Sequence, residues 1–246
     1  MDIFSARISI QWGNDEPIEK TSTWVIQTAG GRFVDLRPFL PGYVDETKFP
    51  MEFCNFGSTI ELEGSKKQFT QELSLAKFVD GKYVENDGGL PDIGEFEELP
   101  NGDFKEVGEM ANPDRNNKIE PYIEIWRDLD PYKDGPQVEK LDPKSAPNVH
   151  FSYCFDLSSE GVKGRFVRIG NWFQGLLGHL NNPKRTDSPP LSAIRGYYDT
   201  NGDVKILLSV GENTDDFPIK NYKPSQLTVN KSQPVNQLIW KCVELN

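Results

Sequence analysis

Strict alternation of apolar and polar residues opens each half of the chain, and this most limits what it can fold into. In the first half Phe4, Ala6, Ile8, Ile10 and Trp12 fall on one side of a period-two pattern, and Ser5, Arg7, Ser9 and Gln11 on the other. In the second, Val149, Phe151, Tyr153, Phe155 and Leu157 alternate with His150, Ser152, Cys154 and Asp156. Side chains two apart share a face only on a strand, so both segments read as half-buried β-strands. Each half also ends on an Ile-Trp-basic core, "YIEIWRD" at 122–128 and "QLIWKCVE" at 237–244. Between these marks the tetrapeptide G-R-F-V occurs twice, at Gly31 and at Gly164. A β-domain laid down twice explains this order.

Turn residues break up the β-branched and aromatic runs. Asp80-Gly81 and Asn201-Gly202 predict hairpins of type I′, because Asx-Gly pairs supply positive φ angles. Further strands are expected at 23–28, 58–63, 68–79, 191–199 and 204–210. One short helix is expected from Asn171, where Trp172, Phe173, Leu176, Leu177 and Leu180 follow a helical stripe that Gly175 and Gly178 weaken. The fold class is therefore all-β with a short helix: two tandem antiparallel barrels, an N-terminal one over 1–133 and a C-terminal one over 148–246. A proline-rich stretch, 134–147, reads as the linker, and the Gly-, Pro- and acid-rich 86–117 as an insertion in the first barrel, with a hairpin at Asn101-Gly102.

Charge separates the halves. Residues 1–133 hold 14 Lys/Arg against 26 Asp/Glu, a balance of −12, and 134–246 hold 13 against 12, a balance of +1. Neither half presents the basic stripe that a phosphate backbone or an anionic membrane requires. The start of the chain lacks the basic, apolar pattern of a secretory signal, and no apolar run is long enough to span a bilayer; a soluble intracellular protein is expected. Cys54, Cys154 and Cys242 are scattered and odd in number, which predicts buried reduced thiols rather than disulfides or a zinc site.

Catalytic chemistry finds little footing. His150 and His179 lie in different elements, and His150 and Cys154, four apart on a strand, stand roughly 13 Å from each other. No phosphate-binding glycine motif or nucleophile elbow lies in a strand-to-helix context. No catalytic residue, metal or cofactor is expected. The acids Asp92, Glu95, Glu97 and Glu98 read as a solvated face suited to a protein partner; a hydrolase would instead need two carboxylates facing one another in a cleft. Small barrels can also enclose an apolar ligand, for which Arg32, Arg165, Trp172 and Phe173 are the candidate contacts. Ser188, before two prolines, is a candidate phosphorylation site.

Four stretches, "VDLRPFLP" (34–41), "FPMEFCNFG" (49–57), "WRDLDP" (126–131) and "RIGNWFQGLL" (168–177), resemble the fungal Hri family and occur in family order across both halves. The resemblance implies two lipocalin-like β-barrels in tandem, a location in cytoplasm and nucleus, association with a casein kinase I and contact with the endoplasmic-reticulum translocation machinery. It transfers no catalytic residue. The function expected is that of a non-enzymatic adaptor, with carriage of a small apolar ligand as the alternative.

Overall fold

The computed structural model describes residues 1–43, 49–79, 82–83, 91–131, 151–180, 189–199 and 201–246. The expected linker 134–147, His150, the Asp80-Gly81 turn and Ser188 lie outside the described residues. The first half contributes β1 (Ile3–Trp12), β2 (Trp24–Gln27), β3 (Arg32–Pro38), β4 (Met51–Glu61), β5 (Lys66–Phe69), β6 (Leu73–Ser74), β7 (Phe78–Val79), β8 (Lys82–Tyr83), β9 (Asp92–Glu98), β10 (Phe104–Asn112) and β11 (Lys118–Asp128). The second contributes β12 (Ser152–Ser159), β13 (Val162–Ile169), β14 (Trp172–His179), β15 (Leu191–Tyr198), β16 (Val204–Val210), β17 (Ser232–Val235) and β18 (Leu238–Leu245).

Eight antiparallel strands of the first half close on themselves in the order β3-β2-β1-β11-β10-β9-β5-β4, with β4 returning to β3. Closure leaves no free edge, and every strand gains an inner and an outer face. The region 86–117, expected as an insertion, instead supplies β9 and β10, two staves of the barrel wall paired to β5 and β11. Its acids suit a strand because only alternate ones need face inward.

The second half forms a seven-stranded antiparallel sheet, β16-β15-β14-β13-β12-β18-β17, that curls around its own core. In both halves the first strand is flanked by the second and the last, so the strand plan matches. The G-R-F-V copies do not occupy matching places: the first lies on the third strand of its half, β3, and the other on the second strand of its half, β13. The expected helix from Asn171 is strand β14, flanked by β13 and β15. Its apolar side chains pass the helical pattern because the strand is buried on both faces, and then no polar alternation survives.

β1 departs from its pattern in an informative way. A bulge between Arg7 and Ser9 shifts the register against β11. Before it, Phe4 and Ala6 face the second half; after it, Ile10 and Trp12 line the lumen of the first barrel. An extra residue on one strand exchanges its faces. The hairpins β9–β10 and β15–β16 share another device. Neither is type I′: Gly102 and Gly202, with φ of 83° and 85°, each follow a turn in which the glycine N–H donates three residues back, to Leu99 and Asp199.

The two halves pack back to back through one apolar layer. Phe4, Trp24, Val34, Leu36 and Phe56 of the first half meet Cys154, Val167, Trp172, Leu176 and Ala193 of the second, all buried. Trp24 and Trp172 stand edge to face with ring centres 5.7 Å apart. Two polar side chains of the second half reach across the layer to backbone carbonyls of the first, while Trp172 Nε1 stays without a partner. Gln174 Nε2 donates to the carbonyls of Trp24 (3.1 Å) and Val34 (3.0 Å), and Arg195 donates to those of Ser22 and Leu36, each at 2.8 Å. Cys54, Cys154 and Cys242 are free, buried thiols.

Candidate functional site

Inside the first barrel lies a cavity of about 420 Å³, within the roughly 300–1,000 Å³ range of small-molecule sites. It reaches the surface beside the β4–β5 turn, where exposed Glu61, Gly64 and Ser65 line it. A second space of about 570 Å³ adjoins it toward the η-turn at Leu75–Lys77 and shares Arg37, Phe53 and Asp92 with it.

The wall combines aromatic rings with charge. Phe33, Phe69 and Phe96, on β3, β5 and β9, form an edge-to-face ladder with centres 6.0 and 6.1 Å apart. Seven carboxylates line the cavity against two cationic groups, Arg37 and Lys67, so its interior is net anionic. Arg37 is the central cation: its Nε and Nη2 donate to Asp35 Oδ2 at 3.0 and 2.8 Å and its Nη1 to Glu124 Oε1 at 3.3 Å. Phe53 lies under the guanidinium at 5.0 Å. Arg7 holds the same Glu124 oxygen at 2.5 Å and Glu19 at 2.7 Å. These carboxylates hold the Arg37 guanidinium well above its ordinary range, against the pull of burial.

Glu106 has no such counter-ion. It is opposite Glu124 in the β10–β11 register, so two buried acids face one another across neighbouring strands. Burial first, and then the Glu124 charge, push Glu106 up to about 8; the Tyr122 hydroxyl, donating to it at 2.8 Å, opposes this only in part. Asp92, enclosed by the same wall, is raised to about 6 by burial, with Arg37 pulling the other way. Glycines make room for this pair. A Cβ at Gly94 would stand 2.3 Å from Glu106 Oε1, and one at Gly108 2.7 Å from the Tyr122 hydroxyl.

Six buried side-chain polar atoms among the described residues lack a partner, and three of them belong to this wall: Asp35 Oδ1, Asn55 Oδ1 and Trp126 Nε1. Their residues are 5%, 2% and 6% exposed. An unpaired buried polar atom costs about 1–3 kcal/mol, so half of this cost gathers in one lumen. Asp35 and Asn55 are directly paired across β3 and β4. Among the described residues no group of three His, Cys, Asp or Glu is arranged to hold a metal ion.

The candidates from sequence distribute differently. Strand parity splits the acids of β9: Asp92 and Glu98 line the cavity, while Glu95 and Glu97 stand exposed on the outer wall, 3.9 Å from Lys66 and 3.8 Å from Lys105. None of Arg32, Arg165, Trp172 and Phe173 lines either cavity. Arg32 reaches Glu244 at 3.3 Å, and Arg165 binds Asp156 at 2.6 and 2.9 Å and the Gly57 carbonyl, so both join the halves. Trp172 fills the layer between them and Phe173 the second core. Sequence reasoning missed Asp35, Arg37, Asn55, Glu106, Tyr122, Glu124 and Trp126. The available signal was a charge on alternate positions of a strand whose other positions are apolar, as in Val34-Asp35-Leu36-Arg37, which reads as a solvent face until the sheet is known to close.

Comparison with known proteins agrees with the fold. The crystal structure of the uncharacterized protein YLR301w from Saccharomyces cerevisiae superposes with a TM-score of 0.78, covering 100% of this chain and 99% of that one at 23% identity. Protein HRI1 of Saccharomyces cerevisiae is 24% identical over 238 residues, 93% of each chain. Protein HRI1 of Lachancea thermotolerans is also 24% identical, over 98% of this chain and 91% of that one. The sequence model of the family described as Protein HRI1 matches residues 3–244. The chain belongs to the HRI1 family.

Proposed function

We propose that the protein is a non-enzymatic binding protein whose first barrel holds a small molecule, in the manner of a lipocalin-like carrier. The carrying observation is the cavity of about 420 Å³ whose wall includes three buried polar atoms without partners. The cargo is polar rather than the apolar one expected from sequence, since an apolar occupant would leave those groups and the surrounding carboxylates unsatisfied. Among the described residues, the wall of this cavity contains neither Cys nor His. Its facing acids Glu106 and Glu124 stand on adjacent strands, on one side of any occupant, whereas glycoside hydrolysis places its two carboxyls on opposite sides of the bond. Native mass spectrometry of protein purified from a fungal host tests the reading. A retained small-molecule mass that heat or denaturant releases is expected, and a bare polypeptide mass under gentle ionisation overturns it.

A second reading keeps the adaptor role implied by the family resemblance, with a casein kinase I as partner, the translocation machinery as a further contact, and the cytoplasm and nucleus as location. The exposed Glu95 and Glu97, fixed on a barrel strand, are what favours it: a rigid acidic strip suits a basic substrate-recognition surface and would mainly speed association. Charge reversal of Glu95, Glu97 and Glu98 should lower kinase recovery in a pull-down at low salt; unchanged recovery removes this strip from the interaction.

A further inference from the structure

We propose that the lumen of the first barrel takes a small organic cation: an amine with several N–H donors and one oxygen acceptor on an apolar or aromatic body. This rests on the reading that the barrel holds a small molecule, and adds its chemical class. The unpaired atoms define the polar end. Asp35 Oδ1 and Asn55 Oδ1 accept and Trp126 Nε1 donates, so the occupant must bring at least two donors and one acceptor. Asp35 and Asn55 are cross-strand neighbours, close enough for one nitrogen to serve both.

Sign of charge follows from the wall. Even with Glu106 protonated, six other acids against two cationic groups among the described lining residues repel an anion. Arg37, the one guanidinium lining the cavity among the described residues, is already engaged by Asp35 and Glu124. Glu106 has an acid opposite it and a tyrosine hydroxyl beside it, but no basic side chain within ion-pair distance among the described residues. A cation entering the lumen would give Glu106 a counter-ion and so favour release of the proton it otherwise keeps. Its body finds the Phe33–Phe69–Phe96 ladder, whose ring faces favour both apolar surface and positive charge. A bare metal ion fits poorly, because the described acids do not converge as ligands.

A matched series of probes tests the class on the unmodified protein. The probes are 2-amino-1-phenylethanol, 1-phenyl-1,2-ethanediol and mandelate, which share ring and hydroxyl and differ in whether the end group is cationic, neutral or anionic. In isothermal titration calorimetry the amine should bind about tenfold tighter than the diol, as a charged hydrogen bond exceeds a neutral one, and mandelate most weakly. The indole N–H resonance of Trp126, identified by its loss in Trp126→Phe, should shift with the amine. Asp35→Asn should weaken the amine about tenfold and the diol by a smaller factor, since the amine loses an ion pair as well as a charged acceptor. If the diol or mandelate binds as well as the amine, the charge assignment falls while the small-molecule reading stands. If none binds, the molecule retained in native mass spectrometry decides: a basic nitrogen upholds the class, its absence overturns it. If none binds and nothing is retained, both readings fall.

Discussion

The two halves use glycine for opposite ends. In the second, Gly164, Gly175 and Gly196 lie on three neighbouring strands, and a Cβ at each would stand within 2.8 Å of Trp240, Phe217 and Phe173 respectively. Large rings thus fill the hollows that small residues leave. The segment 211–231, between the edge strands β16 and β17, adds Phe217, Tyr222 and Leu227 to the same core. In the first barrel Gly94 and Gly108 make room for a carboxyl and a hydroxyl instead, and space remains beside them. Related strand plans therefore yield a packed core in one half and a charged chamber in the other. The difference resides in inward side chains.

Three measurements break or sharpen this contrast. The largest effect is expected in the filled second half: Trp240→Ala removes a fully buried ring and its 2.8 Å hydrogen bond to the Asp216 carbonyl, and should cost about 3–5 kcal/mol in urea unfolding. A loss under about 1 kcal/mol would mean the second core is as loose as the first.

Glu106→Gln should act in the other direction. The folded group titrates near 8 against an ordinary 4.5, so below 4.5 it is protonated in both states and costs nothing. As pH rises from 4.5 to 8 the unfolded chain ionises and the folded one does not, so the penalty grows, and it is full above 8. The glutamine variant is expected to be more stable than the parent at pH 8, by on the order of a few kcal/mol, and equal to it at pH 4. A gap that does not change with pH would show that Glu106 carries no retained proton.

Smallest is Phe69→Ala in the lumen. This ring borders open space and is only half-buried, so its removal should cost about 1 kcal/mol or less, well below the Trp240 value. A cost equal to that of Trp240→Ala would contradict an open chamber.

Much of the fold was legible because β-strands announce themselves by parity. The alternation at Phe151, Tyr153, Phe155 and Leu157 places those four in the second core as expected. Parity failed where both faces are covered. β14 hid behind a helical spacing, and the lumen charges of β3 and β11 looked like solvent-facing residues, because a sequence does not state what lies on the far side of a strand. The bulge in β1 is a single extra residue without a composition signal, yet it turns Ile10 and Trp12 to the lumen, away from the side that Phe4 and Ala6 occupy. The site was harder still. Its unpaired atoms come from Asp35, Asn55 and Trp126, far apart in sequence, and only closure of the barrel brings them to one wall.

The hydrogen bonds between the halves have a mechanical consequence for Asp35. The carbonyls gripped by Gln174 and Arg195 belong to Val34 and Leu36, the residues on either side of it. The second half thus works as a fixture, clamping the strand from behind while the carboxylate points forward. Cut away from that fixture, the first half would keep its acid but lose the anchorage that sets where the acid stands.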